Sequence, residues 1–193
     1  MSKKFEKEFI SYCENQDLEV NPNQITVIEK LDKYHHTNFK SFFSKLFSKK
    51  KSKKGFYLYG GVGVGKTMIL NFFYDHLQEK KLKQHFNEFM LGFHDFVHER
   101  KEKKEENIIN QFVKNLKSKA SLIYFDEFQV TNIVDAMILG KLFEQIFKED
   151  IKIILTSNTK ISELYKEGLQ REQFIPFIKI MEDQSVEVEL KIE

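Results

Sequence analysis

Residues 60–67 read Gly60-Gly61-Val62-Gly63-Val64-Gly65-Lys66-Thr67, a complete loop of the form G-x-x-x-x-G-K-[ST]. The segment before it, Gly55-Phe56-Tyr57-Leu58-Tyr59, is short, apolar and aromatic, as a buried strand should be. The segment after it, Thr67 to Leu77, carries apolar residues at helical spacing. Strand, glycine loop and helix in that order predict a phosphate cradle. Glycines let the backbone curl so that successive N–H groups face an anion, and the helix beginning near Gly65 aims its positive dipole end at the same place. In such a loop Gly60 to Thr67 bind the nucleotide, Lys66 reaches the β- and γ-phosphates, and Thr67 takes a place on Mg²⁺.

Around this loop the chain alternates. Strand patterns appear at Gln84–Phe89, Leu122–Asp126, Ile151–Thr156 and Val186–Ile192. Helical patterns lie between them: one over Phe93, Phe96 and Val97, others over Ile108–Leu116 and Ile133–Phe147, and a short one within 161–181. Strands joined by helices pair in parallel through right-handed crossovers, which predicts an α/β domain. Residues 1–54 read as an N-terminal helical extension and 55–193 as the core. In the extension, Asn23 to Leu31 and then Phe39, Phe42, Phe43, Leu46 and Phe47 repeat every three or four residues. Lys49 to Lys54 follows as a solvated connector.

Sixty residues beyond Lys66 the apolar strand Leu122-Ile123-Tyr124-Phe125 ends in Asp126-Glu127. A carboxylate at the end of a buried strand is rigidly placed to hold a metal through its water shell, and Asp126 suits that. The next carboxylate faces elsewhere and can take a proton from an attacking water, the role read for Glu127. The following strand ends Leu155-Thr156-Ser157-Asn158, where the Asn158 amide can hold the water or contact the γ-phosphate. Of 31 basic residues only Arg100 and Arg171 are arginines, and lysine cannot supply a planar fork. Arg171 follows the strand bearing Asn158 and is the candidate to stabilise transition-state charge, on its own nucleotide or on a neighbour's.

Composition sets the outer limits. In 193 residues the formal net charge is +2, so no overall field marks a general nucleic-acid or membrane binder. Cys13 is the lone cysteine, which leaves no internal disulfide and agrees with a reducing compartment. No stretch reaches membrane-span length, and the N-terminus mixes acids and lysines unlike a leader, so the expected location is the cytoplasm. His94-Asp95-Phe96-Val97-His98 places two histidines one turn apart without a third ligand nearby, so zinc is set aside. His85 and the pair His35-His36 read as local structure.

Beyond the glycine loop, Phe125-Asp126-Glu127-Phe128-Gln129-Val130 with Asp135-Ala136-Met137 forms a longer pattern. So does Thr156-Ser157-Asn158 followed by Glu163-Leu164-Tyr165, Gly168-Leu169-Gln170-Arg171 and Phe174, and His85-Phe86 with Phe89-Met90 and His94 joins them. With these motifs the chain resembles, from about Pro22 to Val188, the ZapE-type ATPases of bacteria, which share a family with the mitochondrial ATPase family gene one protein. The resemblance implies an AAA+ P-loop NTPase core with a five-stranded parallel sheet between helices, Mg²⁺-dependent ATP hydrolysis, Asn158 as sensor and Arg171 as a finger across a subunit interface. It further implies a homo-oligomeric ring acting on protein partners, tied in bacteria to cell division and in mitochondria to protein quality control. Val64 stands where many relatives carry a basic residue, and Asn132 where the family usually has Asp. Glu193 follows the fifth strand, so the helical lid and its arginine are expected to be missing. Two alternatives stay open: an ATP-binding interaction module or gene remnant with little turnover, and a nucleic-acid loader using Lys49 to Lys54.

Overall fold

The computed structural model describes residues 2–39, 52–100 and 104–192. The apolar pattern at Phe42, Phe43, Leu46 and Phe47, together with Lys49–Lys51 and Lys101–Lys103, lies outside the described residues.

Two helices lead, α1 (Ser2–Asn15) and α2 (Pro22–Phe39). Strand β1 (Gly55–Gly60) runs through the glycine loop into α3 (Lys66–His76). Edge strand β2 (Lys81–His85) is followed by α4 (Phe86–His98) and α5 (Glu105–Lys119). Strand β3 (Leu122–Asp126), α6 (Ile133–Lys148) and β4 (Lys152–Ser157) come next. Two single 3₁₀ turns, Ile161–Glu163 and Arg171–Gln173, precede α7 (Ile175–Gln184) and β5 (Ser185–Leu190). The expected 161–181 helix is thus two short turns and one helix, with Pro176 in the first turn of α7, where its missing N–H costs nothing.

All strand pairs are parallel, in the order β2-β3-β4-β1-β5. The expected strand at Gln84–Phe89 is displaced: the strand is Lys81–His85, and Phe86 already begins α4. Phe86, Phe89, Met90 and Phe93 bury together because spacing of three and four residues aligns them on one helical face. Among the described residues β2 pairs only with β3, and such an edge tolerates the lysines that made it unlike a buried strand.

The two faces of the sheet bury separate cores. α1, α2 and α3 cover one, where Phe9, Val27, Ile28, Leu31, Ile69 and Phe73 pack on Phe56, Leu58, Tyr124 and Ile154. The helices α4 to α7 cover the other, on Tyr57, Phe125, Ile153 and Leu155. Cys13 is buried in the first core. The described end of the lysine run is structural: Lys53 donates to the Glu182 and Ser185 carbonyls, and Lys54 to the Phe147 carbonyl, cations placed at the C-terminal ends of α7 and α6.

Candidate active site

Strand parity builds the site. Side chains alternate along a strand, so in β3 Tyr124 and Asp126 share the face covered by α3, and in the neighbouring strand Ile154 and Thr156 do the same. The glycine loop crosses the carboxyl ends of these strands. Gly60 opens it beside β5, where an added Cβ would collide with the Leu190 carbonyl oxygen, and Gly65 closes it at φ +93°. Both positions require glycine. Ile69 N–H donates to the Gly65 carbonyl at 3.0 Å, so α3 begins on the loop and leaves its first N–H groups facing the cradle. Val62 at the apex is exposed.

Lys66 is 8% exposed. Its ammonium donates to the Gly60 carbonyl at 2.9 Å, the Gly61 carbonyl at 2.6 Å and Asn158 Oδ1 at 3.0 Å. Burial lowers its pKa from the ordinary lysine value, and the charge of Asp126 offsets part of that. Thr67 Oγ1 donates to Asp126 Oδ1 at 3.0 Å. These are hard oxygen donors, the chemistry that suits Mg²⁺, which Thr67 would hold with Asp126 behind it. Directly beneath, burial and the charge of Asp126 push the Tyr124 phenol far upward. Its hydroxyl is buried beside Asp126 and Thr67.

Thr156, quoted in a motif but not read as a working residue, joins the two acids. Its hydroxyl donates to Asp126 Oδ1 at 2.6 Å and accepts from Glu127 N–H at 2.9 Å, while Phe128 N–H donates to the Thr156 carbonyl at 2.7 Å. Glu127 itself has φ +56°, a left-handed backbone unusual for a residue with a Cβ. That twist leaves the Glu127 side chain exposed and Phe128 buried. The signal for Thr156 was a hydroxyl directly after the apolar run Ile153-Ile154-Leu155, two residues before Asn158.

The structure thus gathers Gly60 to Thr67, Asp126, Glu127 and Asn158. It does not bring in Arg171. That guanidinium donates to the Ser162 carbonyl at 2.9 Å; among the described residues no hydrogen bond joins it to the glycine loop, Asp126, Glu127 or Asn158. Its Nε is buried and has no hydrogen-bond partner among the described residues. His94 and His98 are separate from this site. His94 Nε2 lies 2.6 Å from Asp135 Oδ1, and no cluster of three His, Cys, Asp or Glu able to hold a metal occurs among the described residues. Asn132 accepts from Asp135 N–H at 2.8 Å and caps α6, so the departure from Asp keeps the cap.

Comparison with known proteins agrees with this architecture. The sequence profile described as AFG1-like ATPase matches residues 11–191. The chain is 40% identical over 146 residues to Lactation elevated protein 1 homolog B of Danio rerio, covering 70% of this chain and 29% of that one. It is 39% identical over 142 residues to the cell division protein ZapE of Escherichia coli K12, covering 69% and 37%. It therefore spans about a third of the length of these relatives. Among solved structures, that of DnaI superposes with a TM-score of 0.63 at 17% identity, covering 92% of this chain and 87% of that one; this likeness shows the shared α/β fold. The chain belongs to the AFG1-like ATPase family.

Proposed function

We propose that this site binds ATP with Mg²⁺ and hydrolyses it. The observation that carries the reading is the convergence on Asp126 Oδ1 of the Thr67 hydroxyl from the phosphate loop and the Thr156 hydroxyl that also holds Glu127. Thr67 and Asp126 would hold the cation, which when bound neutralises charge on the phosphates. Lys66 releases the Gly60 and Gly61 carbonyls and turns to the β- and γ-phosphates. Glu127, exposed and adjacent, takes the proton from the attacking water, and Asn158 places that water from the end of β4. Arg171 lies beyond hydrogen-bonding reach of its own site, which favours its acting on the nucleotide of a neighbouring copy in a homo-oligomer. The resemblance to ZapE supports protein partners, including division machinery, as what the energy is used on, in the cytoplasm; no helix among the described residues is long and apolar enough to cross a membrane.

Mg²⁺-dependent phosphate release from ATP by the native chain and by Glu127→Gln tests the reading. Loss of a general base lowers turnover by about 10²–10⁴, while nucleotide affinity persists because the loop and Lys66 are untouched. Equal rates in the two proteins overturn it. Measurable binding with no turnover in the native chain supports instead the ATP-binding interaction module.

A further inference from the structure

Helix α2 grips the chain on both sides of β1. Near its C-terminal end, Tyr34 Oη donates to the Lys54 carbonyl at 2.6 Å and Asn38 Nδ2 to the Lys53 carbonyl at 3.0 Å, just before the strand. In its first turn Gln24, 5% exposed, donates from Nε2 to the Val64 carbonyl at 3.3 Å, just after the strand and inside the phosphate loop. Gln24 Oε1 accepts from Asn21 N–H at 3.4 Å, which orients the amide. The same Nε2 lies 2.8 Å from where a Cβ on Gly65 would sit, so this amide occupies the space that the glycine leaves open.

Peptide planarity gives the contact a consequence. All peptide bonds are trans among the described residues, and in a planar trans unit C=O and N–H point to opposite sides. Holding the Val64 carbonyl toward α2 holds the Gly65 N–H away from α2.

We propose that Gln24 is a positioning residue for phosphate binding: its amide pins the Val64–Gly65 peptide so that the Gly65 N–H is presented to the nucleotide. The inference rests on the ATP-binding reading above. Without Gln24 that peptide rotates freely, and each nucleotide must select the oriented population. The contact is made with ground state and transition state alike, so its loss raises KM and leaves kcat in place.

The test measures ATP and ADP affinities, ATPase KM and kcat, and the melting temperature of the native chain, Gln24→Met, Gln24→Glu and Asn23→Ala. Methionine keeps the length and packing of glutamine without a donor, and binding should weaken about 5–10-fold, the net worth of one hydrogen bond. Glutamate sets a carboxylate against the Val64 carbonyl and should weaken it further. Asn23 Nδ2 donates to the Lys191 carbonyl at 2.8 Å and anchors the same end of α2, with no hydrogen bond to the loop among the described residues, so Asn23→Ala should bind like the native chain. Native affinity in both Gln24 variants overturns the proposal. So does equal weakening in Asn23→Ala, which would make the effect one of general helix anchoring. Absence of nucleotide binding by the native chain overturns the ATP-binding reading and this inference with it, an outcome distinct from the other two.

Discussion

Replacing Thr156 with valine isolates the hydroxyl that ties the two acids together. Valine is nearly isosteric, so packing persists while two hydrogen bonds go: 2.6 Å to Asp126 Oδ1 and 2.9 Å from Glu127 N–H. Thr156 is 2% exposed, so water does not replace them. A bond to a charged acceptor contributes ~1.5–3 kcal/mol, and an unsatisfied N–H costs ~1–3 kcal/mol. Because the two share one oxygen they do not add fully, and about 3 kcal/mol is a reasonable total. For a chain of this size that lowers the melting temperature by roughly 6–12 °C. Turnover should fall about 10–100-fold, since Glu127 loses one of the two bonds that fix its turn, while ATP affinity should fall less: Lys66 keeps its contacts, and Asp126 keeps the Thr67 hydroxyl after losing that of Thr156. Thr156→Ser restores the hydroxyl and should recover most of the activity. Thermal melts followed by circular dichroism and a phosphate-release assay give both numbers. A valine variant that melts and hydrolyses like the native chain refutes the bridging role; one that melts lower with native turnover refutes the positioning of Glu127.

Glu127→Gly and Glu127→Ala both delete the carboxylate, but only glycine relieves φ +56°; the glycine variant should be more stable by about 1 kcal/mol, and an alanine variant of equal or greater urea resistance would exclude the strain. Burial holds the folded Lys66 pKa below 10.5, so between the two values the unfolded chain binds more protons and this group's contribution to stability rises with pH. ATP affinity, which needs the charged lysine, should fall over the same window. Both trends are read as the difference between the native chain and Lys66→Met from neutral pH upward, and a flat difference would count against the burial.

What the sequence made legible was local in origin. The glycine loop is eight consecutive residues whose spacing is itself the mechanism, and Asp126-Glu127 announced itself by ending an unbroken apolar run. Helix α1 was only part of an undivided N-terminal region because its buried stripe is thin: Phe9 and Cys13 go under among lysines and glutamates. The error at β2 came from aromatics that looked like strand residues yet served a helix, next to an edge strand too polar to stand out. Gln24 was illegible. Its partner lies 40 positions away, and a glutamine in a first helical turn carries no mark of a long-range contact.

The arrangement assigns the two faces of the sheet different work, and parity explains how the site bridges them. Asp126 and Thr156 face α3, so the phosphate loop, the two hydroxyls and the carboxylate belong to the core that α1 and α2 also cover. Phe128, Phe174 and Phe177 belong to the other core, and the Arg171–Gln173 turn packs against α6 and α7 on that side. Had β3 continued straight, the residue after Asp126 would have pointed into those phenylalanines, where a carboxylate could not stay charged. The left-handed turn at Glu127 prevents this: it lifts the acid to solvent at the strand end and lets Phe128 take the buried place, meeting Phe86 at 4.5 Å and Phe177 at 5.9 Å between ring centroids. The phenylalanine cluster therefore stabilises the strained turn from one face while Thr156 holds it from the other.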